Sequence, residues 1–140
     1  MPNSPIFIDT GYVYALISPR DQWHEQAMEW RRKISAENRV LLTTEFILAE
    51  IADGLAAVNF RQAAVQALRV LVTSPYVQTI PASSELFQAG LNLYESRSDK
   101  DWGLTDCISF VVMAEHHLTD ALTTDDHFRQ AGFRALLLEP

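Results

Sequence analysis

Short apolar runs alternate along this chain with longer stretches of helical periodicity, and that alternation restricts what it can fold into. The strand-like runs are Ile6-Phe7-Ile8, Arg39 to Leu42, Tyr76 to Ile80, Ala121-Leu122-Thr123 and Arg134 to Leu138. Between the first two, residues from about Gln22 to Ala36 place Trp23, Ala27, Trp30 and Ile34 on one helical face. Thr43 or Thr44 caps a helix carrying Phe46, Ile47, Ile51 and Leu55 and ending near Gly54. Asn59 opens another, through Ala63, Leu68 and Leu71, which Ser74-Pro75 stops. Pro81-Ala82-Ser83-Ser84 leads into a helix with Leu86, Phe87, Leu91 and Tyr94, and the polar stretch from Ser96 to Asp101 is a loop. Leu104 to Glu115 reads as an apolar helix with Thr105 as its cap, and Asp126 to Ala131 as a short one. Strands alternating with helices predict a three-layer α/β/α fold, a central parallel sheet with helices on both faces and right-handed crossovers. In such sheets ligands bind beyond the carboxyl ends of the strands, where strand order reverses.

No repeat, linker or low-complexity tract interrupts the 140 residues, which predicts a single domain over 1–140. A content of 48% hydrophobic and 21% charged residues fits a globular chain rather than a disordered one. No apolar run reaches bilayer length, and the N-terminus lacks the features of a signal peptide, so a cytoplasmic location is expected. The single cysteine, Cys107, excludes an internal disulfide and a thiolate metal cluster. A net charge of -7 argues against nucleic-acid binding by bulk attraction. Carboxylates that hold cations reverse that sign locally, and Arg20, Arg31, Arg32, Lys33, Arg97 and Lys100 remain for phosphates.

Acidic residues fall where the fold puts ligands. Asp9 follows Ile6-Phe7-Ile8 directly, and Asp125 ends the run Ala121-Leu122-Thr123-Thr124. On position alone each has two readings, a cap for the next helix or a ligand at the sheet mouth. Glu50 is flanked by apolar residues one turn from Phe46, and a glutamate on that face needs a partner or a metal unless it reaches solvent. Asp106 lies in the first turn of the apolar helix, where the helix dipole also favours an acid. Several carboxylates without partner bases need counter-charge, and hard divalent ions such as Mg²⁺ or Mn²⁺ supply it with oxygen ligands. The corresponding chemistry is phosphodiester hydrolysis by metal-activated water, with no protein nucleophile.

Four stretches carry a family resemblance: Ile6-Phe7-Ile8-Asp9-Thr10, Thr43-Thr44-Glu45-Phe46-Ile47-Leu48-Ala49-Glu50, Leu104-Thr105-Asp106-Cys107-Ile108-Ser109-Phe110, and Ala121-Leu122-Thr123-Thr124-Asp125-Asp126-His127-Phe128. Gln130-Ala131-Gly132-Phe133 continues the last. In this order, over nearly the whole chain, they resemble a PIN domain, specifically the toxin subunit of VapBC-type toxin–antitoxin pairs. The resemblance implies that Asp9, Glu50, Asp106 and Asp125 are an acidic quartet that binds Mg²⁺ or Mn²⁺ and cuts RNA. It further implies a small antitoxin protein as partner, and a homodimer. Thr10 and Thr123 match hydroxyls that accompany the acids. Asp101 is a candidate additional carboxylate, and Asp125 is preferred over Asp126 because it ends the strand directly. His24, Trp23, Trp30, Phe60 and the pair His116-His117 read as structural.

Rival readings remain. A phosphatase of the haloacid-dehalogenase type also places an aspartate after its first strand, but needs a second two residues on, where this chain has Gly11. A phosphoreceiver domain needs an aspartate at the end of the Tyr76 to Ile80 run, which is missing. An inactive PIN-like binding module, or a nuclease or phosphatase acting on DNA or small phosphoesters, stays open.

Overall fold

A computed structural model describes residues 4–140. Five parallel strands form one sheet in the order β3-β2-β1-β4-β5, flanked by seven helices. The strands are β1 (Ile6–Ile8), β2 (Leu41–Thr44), β3 (Val77–Ile80), β4 (Asp120–Leu122) and β5 (Arg134–Ala135). All three residues of β1, at the centre, are fully buried, as a strand covered on both faces requires.

The helices divide by the direction in which the chain crosses the sheet. From β1 to β3 it moves outward through α1 (Thr10–Ile17), α2 (His24–Glu37), α3 (Glu45–Gly54) and α4 (Val58–Thr73), which pack on one another. After β3 it returns past β1 through α5 (Ser84–Ser96) and α6 (Leu104–Glu115) to β4, then through α7 (Asp126–Gln130) to β5. Right-handed crossovers put these two groups on opposite faces. The reversal falls between β1 and β4.

Local chemistry sets the helix ends. Thr44 Oγ1 accepts the Ile47 amide at 3.1 Å to start α3, and Ser83 Oγ does the same for Leu86 at 3.1 Å to start α5. Asn38 closes α2 in the left-handed region at φ 51°, and Pro75 bars α4 from continuing.

Strand β2 runs two residues later than the expected Arg39 to Leu42, and the structure departs from the sequence reading in three further places. Helix α1 has no clear periodic signal, since Gly11, Tyr12, Val13 and Ile17 are poor helix formers. It forms because Thr10, Tyr12, Val13 and Ala15 are buried. The cap of α6 is not Thr105: Gly103 occupies the N-cap, and Asp106 Oδ2 accepts the Gly103 amide at 3.0 Å. The expected strand from Arg134 to Leu138 pairs only through Arg134 and Ala135. Leu136–Leu138 turns into a 3-10 helix that buries Leu136 and Leu137, because an apolar run alone does not distinguish a strand from a helical turn.

Candidate active site

Asp9 directly follows β1, whereas β4 ends at Leu122, so Asp125 does not end the strand directly as expected but lies three residues past it, beyond the carboxyl ends of these adjacent parallel strands at the reversal point. Asp9 is buried, at 6% exposure, and its side chain makes no capping bond to α1. Its Oδ2 instead accepts the Thr123 hydroxyl at 2.6 Å. Thr123 Oγ1 also accepts the Asp125 amide at 3.0 Å, so one threonine links the ends of both strands. Asp125 does cap: its Oδ1 accepts the His127 amide at 2.9 Å.

Glu50 reaches the same region from α3. Thr10 Oγ1, in the first turn of α1, donates to Glu50 Oε1, and Tyr14 Oη donates to the Glu50 carbonyl at 3.1 Å. These bonds hold α1 and α3 together beneath the acids. Gly11 packs close to the loop before Asp125, where an added Cβ would lie 2.5 Å from Thr124 Oγ1 and force that side chain to shift. Asp106 enters from α6, half-buried. His127 Nδ1 lies 3.3 Å from Asp106 Oδ2 and 3.3 Å from Asp125 Oδ1.

The acids are electrostatically coupled. Burial pushes the Asp9 carboxyl up to about 7, with Asp106 and Glu50 adding to the rise and the Thr123 hydroxyl and Thr10 backbone opposing it. Asp106 is also raised, first by burial and then by Asp125, against the pull of the Gly103 amide and His127. Among the described residues no lysine or arginine forms an ion pair with Asp9, Glu50, Asp106 or Asp125. His127 is the one basic side chain these acids meet among the described residues, beside Asp106 and Asp125. The donor set fits a divalent cation: one ligand atom each from Asp106, Asp125 and His127 lies within 4.8 Å of the others, and all three are partly open to solvent.

Other residues singled out in the sequence lie apart from this cluster. Asp126 is exposed and pairs with Arg129 at 3.5 Å. Asp101 is exposed and lines a separate hollow with Tyr94, Arg97, Lys100 and Trp102. His24 Nδ1 is 2.7 Å from the Ala15 carbonyl, tying α2 to α1, while His116 and His117 are exposed at the end of α6. Trp23 and Trp30 pack against the core, and Phe60 is exposed. The sequence reading passed over His127. One turn at the start of α7 carries both the capping acid Asp125 and this imidazole, and α6 brings Asp106 to it.

An aspartate pair at a strand reversal, joined by acids from two flanking helices, defines a class, and the model of the PIN domain matches residues 6–134. The chain belongs to the PIN domain family. No curated protein matches it. Among solved structures it is similar to Mycobacterium tuberculosis VapC20, a sarcin–ricin loop cleaving toxin, with 24% identity, 93% of this chain and 97% of that chain covered and a TM-score of 0.80. It is also similar to FitAcB from Neisseria gonorrhoeae, with 18% identity, the same coverages of 93% and 97%, and a TM-score of 0.63. At these identities the likeness is one of fold.

Proposed function

We propose that this chain is a divalent-metal-dependent endoribonuclease and acts, as a single cytoplasmic PIN domain, as the toxin of a toxin–antitoxin pair. The observation that carries this reading is the convergence of Asp9, Glu50, Asp106 and Asp125 at the strand reversal, with no lysine or arginine among the described residues paired to them. Asp9, Asp106 and Asp125, with Glu50 behind Thr10, would hold Mg²⁺ or Mn²⁺. Bound there, the ion supplies Lewis-acid polarisation of a phosphoryl oxygen and lowers the pKa of water. The chain's own groups fix the frame. Thr123 holds Asp9 and the Asp125 loop in register, and Thr10 orients Glu50.

RNA as the substrate, and the toxin role, rest on the family and on the likeness to a toxin that cleaves the sarcin–ricin loop. The family likeness carries the homodimer as well. The small antitoxin partner rests on the same likeness. Among the described residues no helix is long and apolar enough to cross a membrane.

The test is cleavage of a panel of tRNA, mRNA, rRNA and a sarcin–ricin loop oligonucleotide with Mg²⁺ or Mn²⁺. Cleavage should vanish in excess EDTA and in folded Asp9→Asn and Asp125→Asn. Equal cutting by wild type in EDTA would sink the metal mechanism. Unaffected growth on induced expression, with RNA cleavage intact, would remove the toxin role.

A further inference from the structure

The acidic quartet leaves out His127, the imidazole that lies at this site among the described residues. His127 Nδ1 stands 3.3 Å from Asp106 Oδ2 and 3.3 Å from Asp125 Oδ1. Both oxygens are already held by backbone amides, Gly103 on the first at 3.0 Å and His127 itself on the second at 2.9 Å. Side-chain to carboxylate hydrogen bonds of this type cluster at about 2.7–3.2 Å, so at 3.3 Å the ring nitrogen makes a long contact to Asp106 and stands equally far from Asp125. These two distances also suit donors around a single ion, and the three ligand atoms all lie within 4.8 Å of one another. With metal–ligand bonds of about 2.1 Å, neighbouring corners of an octahedron are roughly 3 Å apart. The three side chains are 20%, 36% and 29% exposed for Asp106, Asp125 and His127, which leaves a hydrated ion a way in.

Resting on the metal reading above, we infer that His127 is a metal ligand and makes the site prefer a transition-metal ion, Mn²⁺, over Mg²⁺. Carboxylates serve both ions. Imidazole nitrogen suits first-row transition metals, whereas Mg²⁺ keeps oxygen ligands and several waters. The fold presents this nitrogen economically, since a single turn of α7 both fixes Asp125 through the His127 amide and aims the His127 ring at Asp106. A ring that only bridged the two carboxylates by hydrogen bonds would support both ions alike, and that difference is measurable.

The experiment is calorimetric titration of the metal-free full chain with Mn²⁺ and, separately, Mg²⁺, for wild type, His127→Ala and His127→Asp. Thermal unfolding checks that each variant is folded, and electron spin-echo spectra are taken of the Mn²⁺ forms. Wild type should bind Mn²⁺ more tightly and show nitrogen modulation from a bound imidazole. His127→Ala should lose that modulation and about tenfold or more of its Mn²⁺ affinity, with a much smaller loss for Mg²⁺. His127→Asp, which offers an oxygen instead, should move the preference towards Mg²⁺. Equal losses for both ions, modulation that persists in His127→Ala, or wild type that binds neither ion would each overturn the assignment. RNA cleavage by the same preparations reads the nuclease proposal separately. Selective loss of Mn²⁺ binding in a protein that leaves RNA intact upholds the ligand and refutes the nuclease.

Discussion

Thr123 Oγ1 donates to Asp9 Oδ2 across 2.6 Å while accepting the Asp125 amide at 3.0 Å. A threonine hydroxyl has one proton, so with an amide already pointing at its oxygen that proton goes to the ionised Asp9 carboxylate. The ends of β1 and β4 are thus joined through one buried side chain. This bond favours the ionised acid, yet burial wins, and Asp9 is held up to about 7.

That balance predicts an unusual pH profile for the metal-free protein. Asp9 titrates near its ordinary 3.8 when unfolded and at about 7 when folded. Between those values the folded state keeps a proton that the unfolded state has lost, so stability falls as pH rises through the window and levels off above it. The rise of about three units corresponds to at most about 4 kcal/mol. Asp9→Asn removes this penalty. Metal-free Asp9→Asn should be more stable than wild type at pH 8, with the gap closing towards pH 4. Urea unfolding at a series of pH values measures it. A smaller slope should remain in the variant, because Asp106 is raised in the same direction. Parallel profiles for the two proteins would show that Asp9 is not the source.

Cations and protons then compete for the same carboxylates. Added Mn²⁺ should raise the melting temperature of wild type more at pH 8 than at pH 5, and excess EDTA should return it to the metal-free value. An ion at a hundred times its dissociation constant stabilises by about 2.7 kcal/mol, which a thermal-shift assay resolves easily. Asp125→Asn should flatten the response at both pH values. A shift of equal size at pH 5 and pH 8 would place the ion elsewhere.

Helix packing behind the site makes a prediction of opposite sign to helix propensity. Glycine to alanine inside a helix ordinarily stabilises by about 1 kcal/mol. At Gly90 the new Cβ would lie 2.3 Å from Ile108 Cγ1 and 3.2 Å from Ile108 Cα, so α5 and α6 would have to separate. Gly90→Ala should therefore destabilise, by about 1–3 kcal/mol on denaturant unfolding. A variant more stable than wild type would mean that the two helices pack less closely than this.

The strands that precede Asp9 and Asp125 were legible because a central parallel strand buries both faces, and Ile6-Phe7-Ile8 announces that without any periodicity. Helix α1 was not, since its residues favour helix only once tertiary burial is added, and with it went the contact of Thr10 with Glu50. Glu50 itself was read from its apolar neighbours, though it is half-buried rather than enclosed. His127 escaped because a histidine two residues after an aspartate has no distinctive pattern until α6 brings Asp106 alongside. Spacing along the chain reports which residues leave a strand or share a turn. It does not report which turns meet.

Asp106 shows how the structural and chemical readings of an acid can be separated. In the sequence it had both, and in the structure it has a cap to make, accepting the Gly103 amide at 3.0 Å, as well as a place beside Asp125 and His127. Asparagine keeps an acceptor oxygen for the cap but gives up the charge, whereas alanine gives up both. Loss of an N-terminal acceptor costs about 1 kcal/mol. Asp106→Ala should therefore unfold at lower urea than wild type, while metal-free Asp106→Asn should match or exceed wild type because it no longer buries a carboxylate that burial disfavours. Both should lose Mn²⁺ binding by calorimetry and RNA cleavage together. Were Asp106→Asn to stay folded and keep wild-type metal affinity, Asp106 would be a helix cap and nothing more.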